Sequence, residues 1–220
     1  MPGSDQARTL PNGIEHGDPE ASFLEVLAEA IASIEGAGVP YLVIGGVASA
    51  ALGRPRWTHD IDVFVLPQDA DRALVAMEKA GFEIERTDPY WLFKAAKAGL
   101  VVDVIFKTSG DIYMDEEMLQ RGIDGDFHGV GFRVASPEDL VVIKAIVDSE
   151  RRPHHWHDAL GLVASRELDW DYVVRRSRHG ARRVLSLLTY AQSDDLVVPD
   201  TAIRALVQMI YGVEGDGAIR

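Results

Sequence analysis

Apolar residues recur along this chain with two different periods. Stretches in which they return every third or fourth residue predict amphipathic helices, and short apolar runs bounded by Gly, Pro or charged residues predict strands. Helices are predicted over residues 23–34, 47–52, 69–80, 137–147, 157–165, 169–178, 181–192 and 201–211. Strands are predicted over residues 41–44, 61–66, 82–86, 90–95, 100–106 and 132–134.

The order of these elements divides the chain. Strands and helices are interspersed as far as about residue 135, and only helical patterns follow. We therefore expect a flexible leader over residues 1–20, a mixed α/β (α+β) unit over 21–135 and a helical region over 136–220. Ser136 and Pro137 mark the transition, because Ser caps a helix well and Pro favours the first helical position.

Composition excludes several classes of protein. The sequence is 47% hydrophobic and 26% charged, which is ordinary for a globular protein, and no apolar run approaches the roughly 18 residues of a membrane span. Cysteine is absent, which excludes disulfide bonds and thiolate zinc sites. The leader also lacks the apolar stretch of a signal peptide. These features predict a cytoplasmic protein with no membrane partner.

The charge of the chain is strongly negative and unevenly distributed. The formal net charge is −13. Residues 1–134 contain eleven Lys and Arg against twenty-two Asp and Glu, whereas the remainder contains eleven against thirteen. This balance argues against a protein that coats nucleic acid non-specifically. The acidic first part is expected to bind cations instead.

Asp60 and Asp62 introduce the predicted strand at residues 61–66. Residues two apart on a strand project from the same face, about 6.5–7 Å apart. Two such carboxylates can hold one divalent ion or share a pair of ions, and a cation relieves their mutual repulsion. The alternative interpretation is an exposed strand face that carries alternating acids.

A glycine pair, Gly45 and Gly46, joins the predicted strand at 41–44 to a short helix that contains Ser49. Glycine lets the backbone approach an anion closely, and a helix N-terminus presents free amide groups to it. The pair therefore indicates a phosphate site, with a triphosphate as the candidate ligand. The alternative is a plain turn.

A single acid, Asp103, interrupts the apolar strand at residues 100–106. Burying a lone carboxylate is costly unless it is paired, protonated or bound to metal. If this strand lies beside the strand of Asp60 and Asp62, Asp103 joins them as the base that deprotonates an attacking hydroxyl. The alternative is an edge strand with Asp103 in water.

In this combination the chain resembles the DNA polymerase β-type nucleotidyltransferase superfamily. It is most similar to small bacterial nucleotidyltransferases of the abortive-infection and toxin–antitoxin type, whose pattern is Gly-Gly-x-Ala followed by Arg-x-Thr-x-Asp-apolar-Asp. Residues 45–48 and 56–62 match that pattern. The similarity spans roughly residues 40–165, including the Ser-Pro-Glu-Asp-Leu helix start at 136–140 with its Lys144 and, more loosely, the stretch 151–158.

The resemblance implies a fold with a central mixed sheet flanked by helices. It implies transfer of a nucleoside monophosphate from an NTP to a hydroxyl of an RNA end such as tRNA, a protein or a small molecule, with release of pyrophosphate. Mg²⁺, or Mn²⁺ in its place, would be held against the triphosphate by the catalytic residues Asp60 and Asp62, and the catalytic residue Asp103 would hold a second ion. The nucleotide phosphates would contact Gly45, Gly46, Ser49, Arg56, Thr58 and Lys144. A cognate antitoxin is an implied partner.

Other polar and aromatic features have two interpretations each. His154, His155 and His157 suggest a transition-metal site or an exposed loop. Trp57, Tyr90 and Trp91 could stack on a base or pack in the core. Five arginines within nine residues could bind an acceptor's phosphates or pair with acids on the surface: Arg175, Arg176, Arg178, Arg182 and Arg183.

Two other functions compete with nucleotidyl transfer. Haloacid-dehalogenase-type phosphatases also use Asp-x-Asp, but there the apolar strand precedes the acids, whereas here residues 63–66 follow them. A non-catalytic nucleotide-binding or toxin–antitoxin interaction module on the same scaffold is the second competitor. Retention of all three acids disfavours a decayed site.

Overall fold

The computed structural model describes residues 18–53, 55–149 and 154–212. Helices and strands follow one another in an order close to the predicted one. The helices are α1 (Pro19–Gly36), α2 (Gly45–Leu52), α3 (Ala70–Lys79), α4 (Glu116–Arg121), α5 (Pro137–Val147), α6 (His154–Ser165), α7 (Trp170–Arg176), α8 (Ala181–Ser193) and α9 (Asp200–Tyr211). The strands are β1 (Tyr41–Ile44), β2 (Ile61–Val65), β3 (Glu83–Asp88), β4 (Leu92–Lys97), β5 (Leu100–Ile105), β6 (Ile123–Phe127) and β7 (Val130–Val134).

The strands form one mixed sheet in the order β3-β4-β5-β2-β1-β7-β6. Strand β2 is parallel to β5 and antiparallel to β1, and β1 is parallel to β7. In this register Asp62 lies beside Asp103 on one side and beside Ile44 on the other. The expectation that the strand of Asp103 neighbours the strand of Asp62 is therefore confirmed.

Helices α1 and α3 pack against each other and against the sheet, where they contact β5 in common. Helix α5 packs against α2, α6, α7 and α8. One cluster of buried apolar side chains includes residues of the sheet and of the helices that follow it, for example Val43, Val104, Leu140 and Leu187. Strands end at Val134 and α5 begins at Pro137, close to the predicted boundary. The division into domains remains a prediction.

The predicted caps and turns explain where several elements begin. The Ser136 hydroxyl accepts a hydrogen bond from the Asp139 amide at 3.2 Å, so Ser136 caps α5 as its sequence position predicts. Lys97 pairs with Leu100, and Ala98 and Gly99 form the tight turn between β4 and β5 with positive φ angles. This turn fixes the register of the two strands.

Two elements were absent from the predicted set, α4 and β6. Helix α4 has only six residues, of which Met118 is buried, so it is too short to show a repeating apolar pattern. Strand β6 lies at the edge of the sheet and contains two acids and a glycine, a composition that is depleted in strands. Antiparallel pairing with β7 stabilises β6 as a strand.

Within the described residues, no helix combines the length and the apolar character that crossing a bilayer requires.

Candidate active site

The glycine pair brings three segments of backbone together. Helix α2 starts directly at Gly45, two residues before its predicted start, and Gly45 has a φ of +68°. A Cβ atom on Gly45 would lie 1.8 Å from Oδ2 of Asp62, and one on Gly46 would lie 2.4 Å from Oγ1 of Thr58. Only glycine fits at either position without movement of these neighbours. The pair is thus a requirement of the site.

The three predicted acids lie near the start of β2, where β5 runs beside it. Asp62 is partly buried, Asp103 lies next to it in register, and Asp60 is exposed just before β2 begins. Burial, followed by the negative charges of Asp103 and Asp60, raises the pKa of Asp62 from 3.8 to about 6, although Lys144 and the Gly46 amide act in the opposite direction. Burial and the two neighbouring acids thus disfavour the ionised form of Asp62, and a bound cation would stabilise that form.

Lys94 provides a cation next to the third acid. Strand β4 places Lys94 directly opposite Asp103, and the Lys94 Nζ lies 2.8 Å from Oδ1 of Asp103. Neither a motif nor the resemblance indicated this lysine. The register of the β4–β5 hairpin contains the signal, because pairing of Lys97 with Leu100 places residue 94 opposite residue 103.

The chemistry of these residues fits a divalent ion that is shared with a ligand. In the parts of the chain that the structure describes, no three His, Cys, Asp or Glu side chains are already arranged to hold a metal ion. Mg²⁺ is usually bound by one or two carboxylates together with substrate phosphates, so a complete protein cage is not required. Asp60, Asp62 and Asp103 supply hard oxygen ligands of that kind.

A cleft of about 570 Å³ opens between the sheet and α5. Its sheet wall consists of residues from β1, β2, β4 and β5, and its helical wall includes Leu140, Ile143, Lys144 and Val147. Trp91 also lines the cleft, and this side chain is 41% exposed. Asp62 and Asp103 therefore face a cavity with room for a small ligand, and the aromatic ring of Trp91 lines the same cavity.

A buried ion cluster supports the helical side of the cleft. Lys144, which is 2% exposed, lies 3.0 Å from the carboxylate of Asp158, which is fully buried on α6. Arg56 donates two hydrogen bonds to the same carboxylate, at 3.0 and 2.8 Å. Burial raises the pKa of Asp158, but Arg56 and Lys144 outweigh this effect and hold its pKa below the usual value. Burial lowers the pKa of Lys144.

This cluster changes the interpretation of the stretch 151–158. Residues 151–153 lie outside the described residues, as does Arg54. Within this stretch, Asp158 is the residue that contacts both Arg56 and Lys144. Arg56 and Lys144 were predicted to contact phosphates, and both instead contact Asp158 here, while Lys144 also lines the cleft. Arg56 thereby ties the segment before Asp60 to helix α6.

Ser49 and Thr58 occupy structural positions. Ser49 is fully buried and donates a hydrogen bond to the Gly45 carbonyl at 2.9 Å within its own helix. The predicted contact of Ser49 with phosphate stays a prediction, and the structure gives its hydroxyl a partner within α2. Thr58 is also buried, accepts a weak hydrogen bond from the Asp60 amide at 3.4 Å and fills the space beside Gly46. Thr58 therefore helps to position Asp60 relative to the glycine turn.

The remaining histidine and aromatic candidates separate into two groups. Trp57 packs against Phe23 and Phe127, with ring centroids 5.5 Å away in each case, so packing explains it. His154 and His157 are exposed, whereas His155 lines the cleft. All three histidines lie on the first residues of α6, and the choice between a metal site and an exposed segment stays a prediction.

The five arginines do not act as one surface. Arg176 is buried and pairs with Asp139 and Asp115, and Arg175 pairs with Glu117. The other three are exposed around a shallow cavity at the start of α8: Arg178, Arg182 and Arg183. Pairing with acids, the alternative interpretation of this cluster, therefore applies to two of its members.

Comparisons with known proteins identify the family of the chain. The sequence profile of a family described as "Nucleotidyl transferase of unknown function (DUF2204)" matches residues 23–179. This range contains the three acids, the glycine pair, Lys94, Lys144 and Asp158. No curated protein sequence matches the chain significantly.

Several solved structures are similar to this chain. The antibiotic-resistance factor ANT(2″)-Ia in solution is 17% identical, with 79% of this chain and 93% of that chain covered and a TM-score of 0.51. A crystal structure of ANT(2″)-Ia in complex with adenylyl-2″-tobramycin is also 17% identical, with coverage of 79% and 98% and a TM-score of 0.50. JHP933 from Helicobacter pylori is 14% identical, with coverage of 87% and 90% and a TM-score of 0.47. The two ANT(2″)-Ia structures confirm the predicted fold.

Proposed function

This chain belongs to the nucleotidyl transferase family DUF2204, and from that premise we propose that it is a metal-dependent enzyme that transfers a nucleoside monophosphate from an NTP to a hydroxyl group. The observation that carries the proposal is the position of Asp62. Its carboxylate lies beside Asp103 across β2 and β5, touches the glycine turn at Gly45 and faces the cleft.

Asp60 and Asp62 would hold Mg²⁺ or Mn²⁺ together with the phosphates of the NTP. When bound, the ion would neutralise phosphate charge and polarise the α-phosphoryl group. Helix α2 starts at Gly45, which lines the cleft, and the backbone amides of its first turn would bind phosphate oxygens. Lys144 would add positive potential while it remains anchored to Asp158.

Asp103 would act as the base. The acceptor hydroxyl would transfer its proton to this carboxylate while its oxygen bonds to the α-phosphorus. The bond between the α-phosphorus and the oxygen that bridges to the β-phosphate would break, and pyrophosphate would leave. Positioning and charge neutralisation would provide most of the rate enhancement, since no covalent intermediate is involved.

Three classes of acceptor are compatible with the exposed cleft: an RNA end such as tRNA, a protein hydroxyl and a small molecule. ANT(2″)-Ia in its complex with adenylyl-2″-tobramycin is a precedent for the last class on this fold. The protein should be incubated with Mg²⁺ and each α-³²P-NTP, together with total RNA, protein extract or a small-molecule extract in separate reactions. We expect label in one pool. Nucleotide binding without transfer in every pool would support the non-catalytic module instead.

Gly45→Ala is expected to weaken nucleotide binding sharply. The new Cβ would overlap the Asp62 carboxylate, so either Asp62 or the turn must move. We expect NTP affinity in the presence of Mg²⁺, measured by calorimetry, to fall by at least about tenfold, because displacement of a reacting group by about 1 Å is costly.

Gly99→Ala is the matched control for Gly45→Ala. Gly99 also has a positive φ, of +77°, but a Cβ there meets nothing within 4 Å. It should therefore cost about 1 kcal/mol of stability from backbone strain and leave nucleotide affinity unchanged. Equal affinities of the two variants would exclude a role for the contact between Gly45 and Asp62.

A further inference from the structure

We propose that Lys94 serves as a built-in counter-ion for Asp103, so that the nucleotide-free protein binds one divalent ion at Asp60 and Asp62 instead of two. This inference rests on the proposed function, because it concerns the ion that Asp60 and Asp62 would hold. It assigns a role to a lysine that neither the family pattern nor the sequence motifs include.

The positions of four side chains across the sheet support the proposal. Glu85, Lys94, Asp103 and Asp62 occupy paired positions on β3, β4, β5 and β2, so they form one row across a single face. In this register Lys94 lies between Glu85 and Asp103, and its ammonium contacts Asp103 at 2.8 Å.

The charges in this row determine how many divalent ions we expect to bind. Asp62 and Asp103 place two carboxylates side by side. The positive charge of Lys144 lowers the pKa of Asp62, although Lys144 is hydrogen-bonded to Asp158. Lys94 neutralises Asp103, so the charge that remains for an added cation is concentrated at Asp62 and Asp60. A second divalent ion at Asp103 would have to displace Lys94 or lie beside its positive charge, and both are unfavourable.

Exposure makes this effect moderate in size. The side chains of Lys94 and Asp103 are 35% and 29% exposed, so solvent screens their attraction in part. We therefore expect Lys94 to weaken binding of a second ion by about tenfold and not to prevent it absolutely.

The test is a Mn²⁺ titration of the nucleotide-free protein, with free Mn²⁺ measured by electron paramagnetic resonance. The wild type should bind one Mn²⁺ tightly. Lys94→Met keeps the aliphatic stem and removes the charge, so a second Mn²⁺ should bind at least about tenfold more tightly than in the wild type. Lys94→Arg should restore the single tight site, because it restores the positive charge.

Lys97→Met is the charge-matched control. Lys97 lies on the same strand, three positions away, and its Nζ donates to the Ala80 carbonyl at 2.8 Å and pairs with Glu29, away from the acids. Its loss should leave Mn²⁺ binding unchanged. Circular dichroism of each variant verifies that the sheet is folded before the titration.

The possible results separate this inference from the proposed function. Two tight ions in the wild type, or one ion in both wild type and Lys94→Met, would overturn the role of Lys94 and leave nucleotidyl transfer untouched. The absence of tight Mn²⁺ binding in every variant would also overturn the role of Lys94. It would leave the proposed metal dependence of the reaction in place, because the phosphates of the NTP supply the remaining ligands there.

Discussion

Replacing Asp62 by Asn is expected to reduce nucleotidyl transfer by at least about 10³-fold, because the change removes one of the two carboxylates proposed to hold the ion. The size and shape of the side chain are retained, and Asn can still accept the hydrogen bond of the Gly46 amide. The loss is measured as the initial rate of label transfer from α-³²P-NTP at saturating Mg²⁺.

The same substitution is expected to stabilise the metal-free protein at neutral pH. The pKa of Asp62 is raised in the folded state to about 6 from 3.8. Protonation of Asp62 therefore favours the folded state. This contribution to the free energy of unfolding is fully present below pH 3.8 and is lost as the pH rises through about 6. In EDTA, the melting temperature of Asp62→Asn should exceed that of the wild type at pH 7.5, and the difference should disappear near pH 4.

Asp124→Asn is a suitable control for both measurements. Asp124 lies on β6, pairs with Arg133 and is 92% exposed, so its loss should change stability by less than about 0.5 kcal/mol. Transfer should continue at the wild-type rate. A variant Asp62→Asn that is both fully active and no more stable than the wild type would remove Asp62 from the proposed site.

Asp158→Ala is expected to have the largest effect on stability. The substitution leaves the ammonium of Lys144, which is 2% exposed, buried without this carboxylate. Removing one partner of a buried ion pair costs about 3–5 kcal/mol, and for a chain of this size that lowers the melting temperature by about 10 °C. Urea unfolding monitored by tryptophan fluorescence gives the change in the free energy of unfolding.

Two further variants separate the buried charge from a general effect of substitution. Asp158→Leu combined with Lys144→Met replaces both charges by apolar groups and should recover most of the lost stability. Asp71→Asn, which removes an exposed acid paired with Arg86, should unfold within about 0.5 kcal/mol of the wild type. If Asp158→Ala and Asp71→Asn were equally stable, the ion cluster of Asp158 would not hold α5 and α6 together.

Much of the candidate site follows from short-range sequence patterns. Three local patterns predicted that Asp62, Asp103 and Gly45 lie together: the apolar strands at 41–44 and 61–66, the glycine pair, and the single acid within an apolar strand. Each pattern is local, and its strand is buried. The cap at Ser136 is equally local. These features depend on backbone geometry that a few neighbouring residues determine.

Contacts between residues far apart in the sequence were not predicted. Asp158 contacts Arg56, which is 102 positions away, and no local pattern indicates that contact. Lys144 and Arg56 were predicted to contact phosphates, and nothing in the sequence indicates that they share Asp158 as a partner. The hydrogen bond of the Ser49 hydroxyl within α2 was not predicted either, because the orientation of that hydroxyl depends on how α2 packs. Lys94 was predictable in principle from the hairpin register at Lys97 and Leu100.

The central claim is transfer of a nucleoside monophosphate, and a comparison of two labels tests it most directly. The protein is incubated with Mg²⁺ and the acceptor pool, once with α-³²P-NTP and once with γ-³²P-NTP. We predict that the acceptor gains label only from α-³²P-NTP, that γ label leaves as pyrophosphate and that Asp62→Asn gives neither product. Transfer of γ label to the acceptor, or equal α-label transfer by Asp62→Asn, would contradict the account.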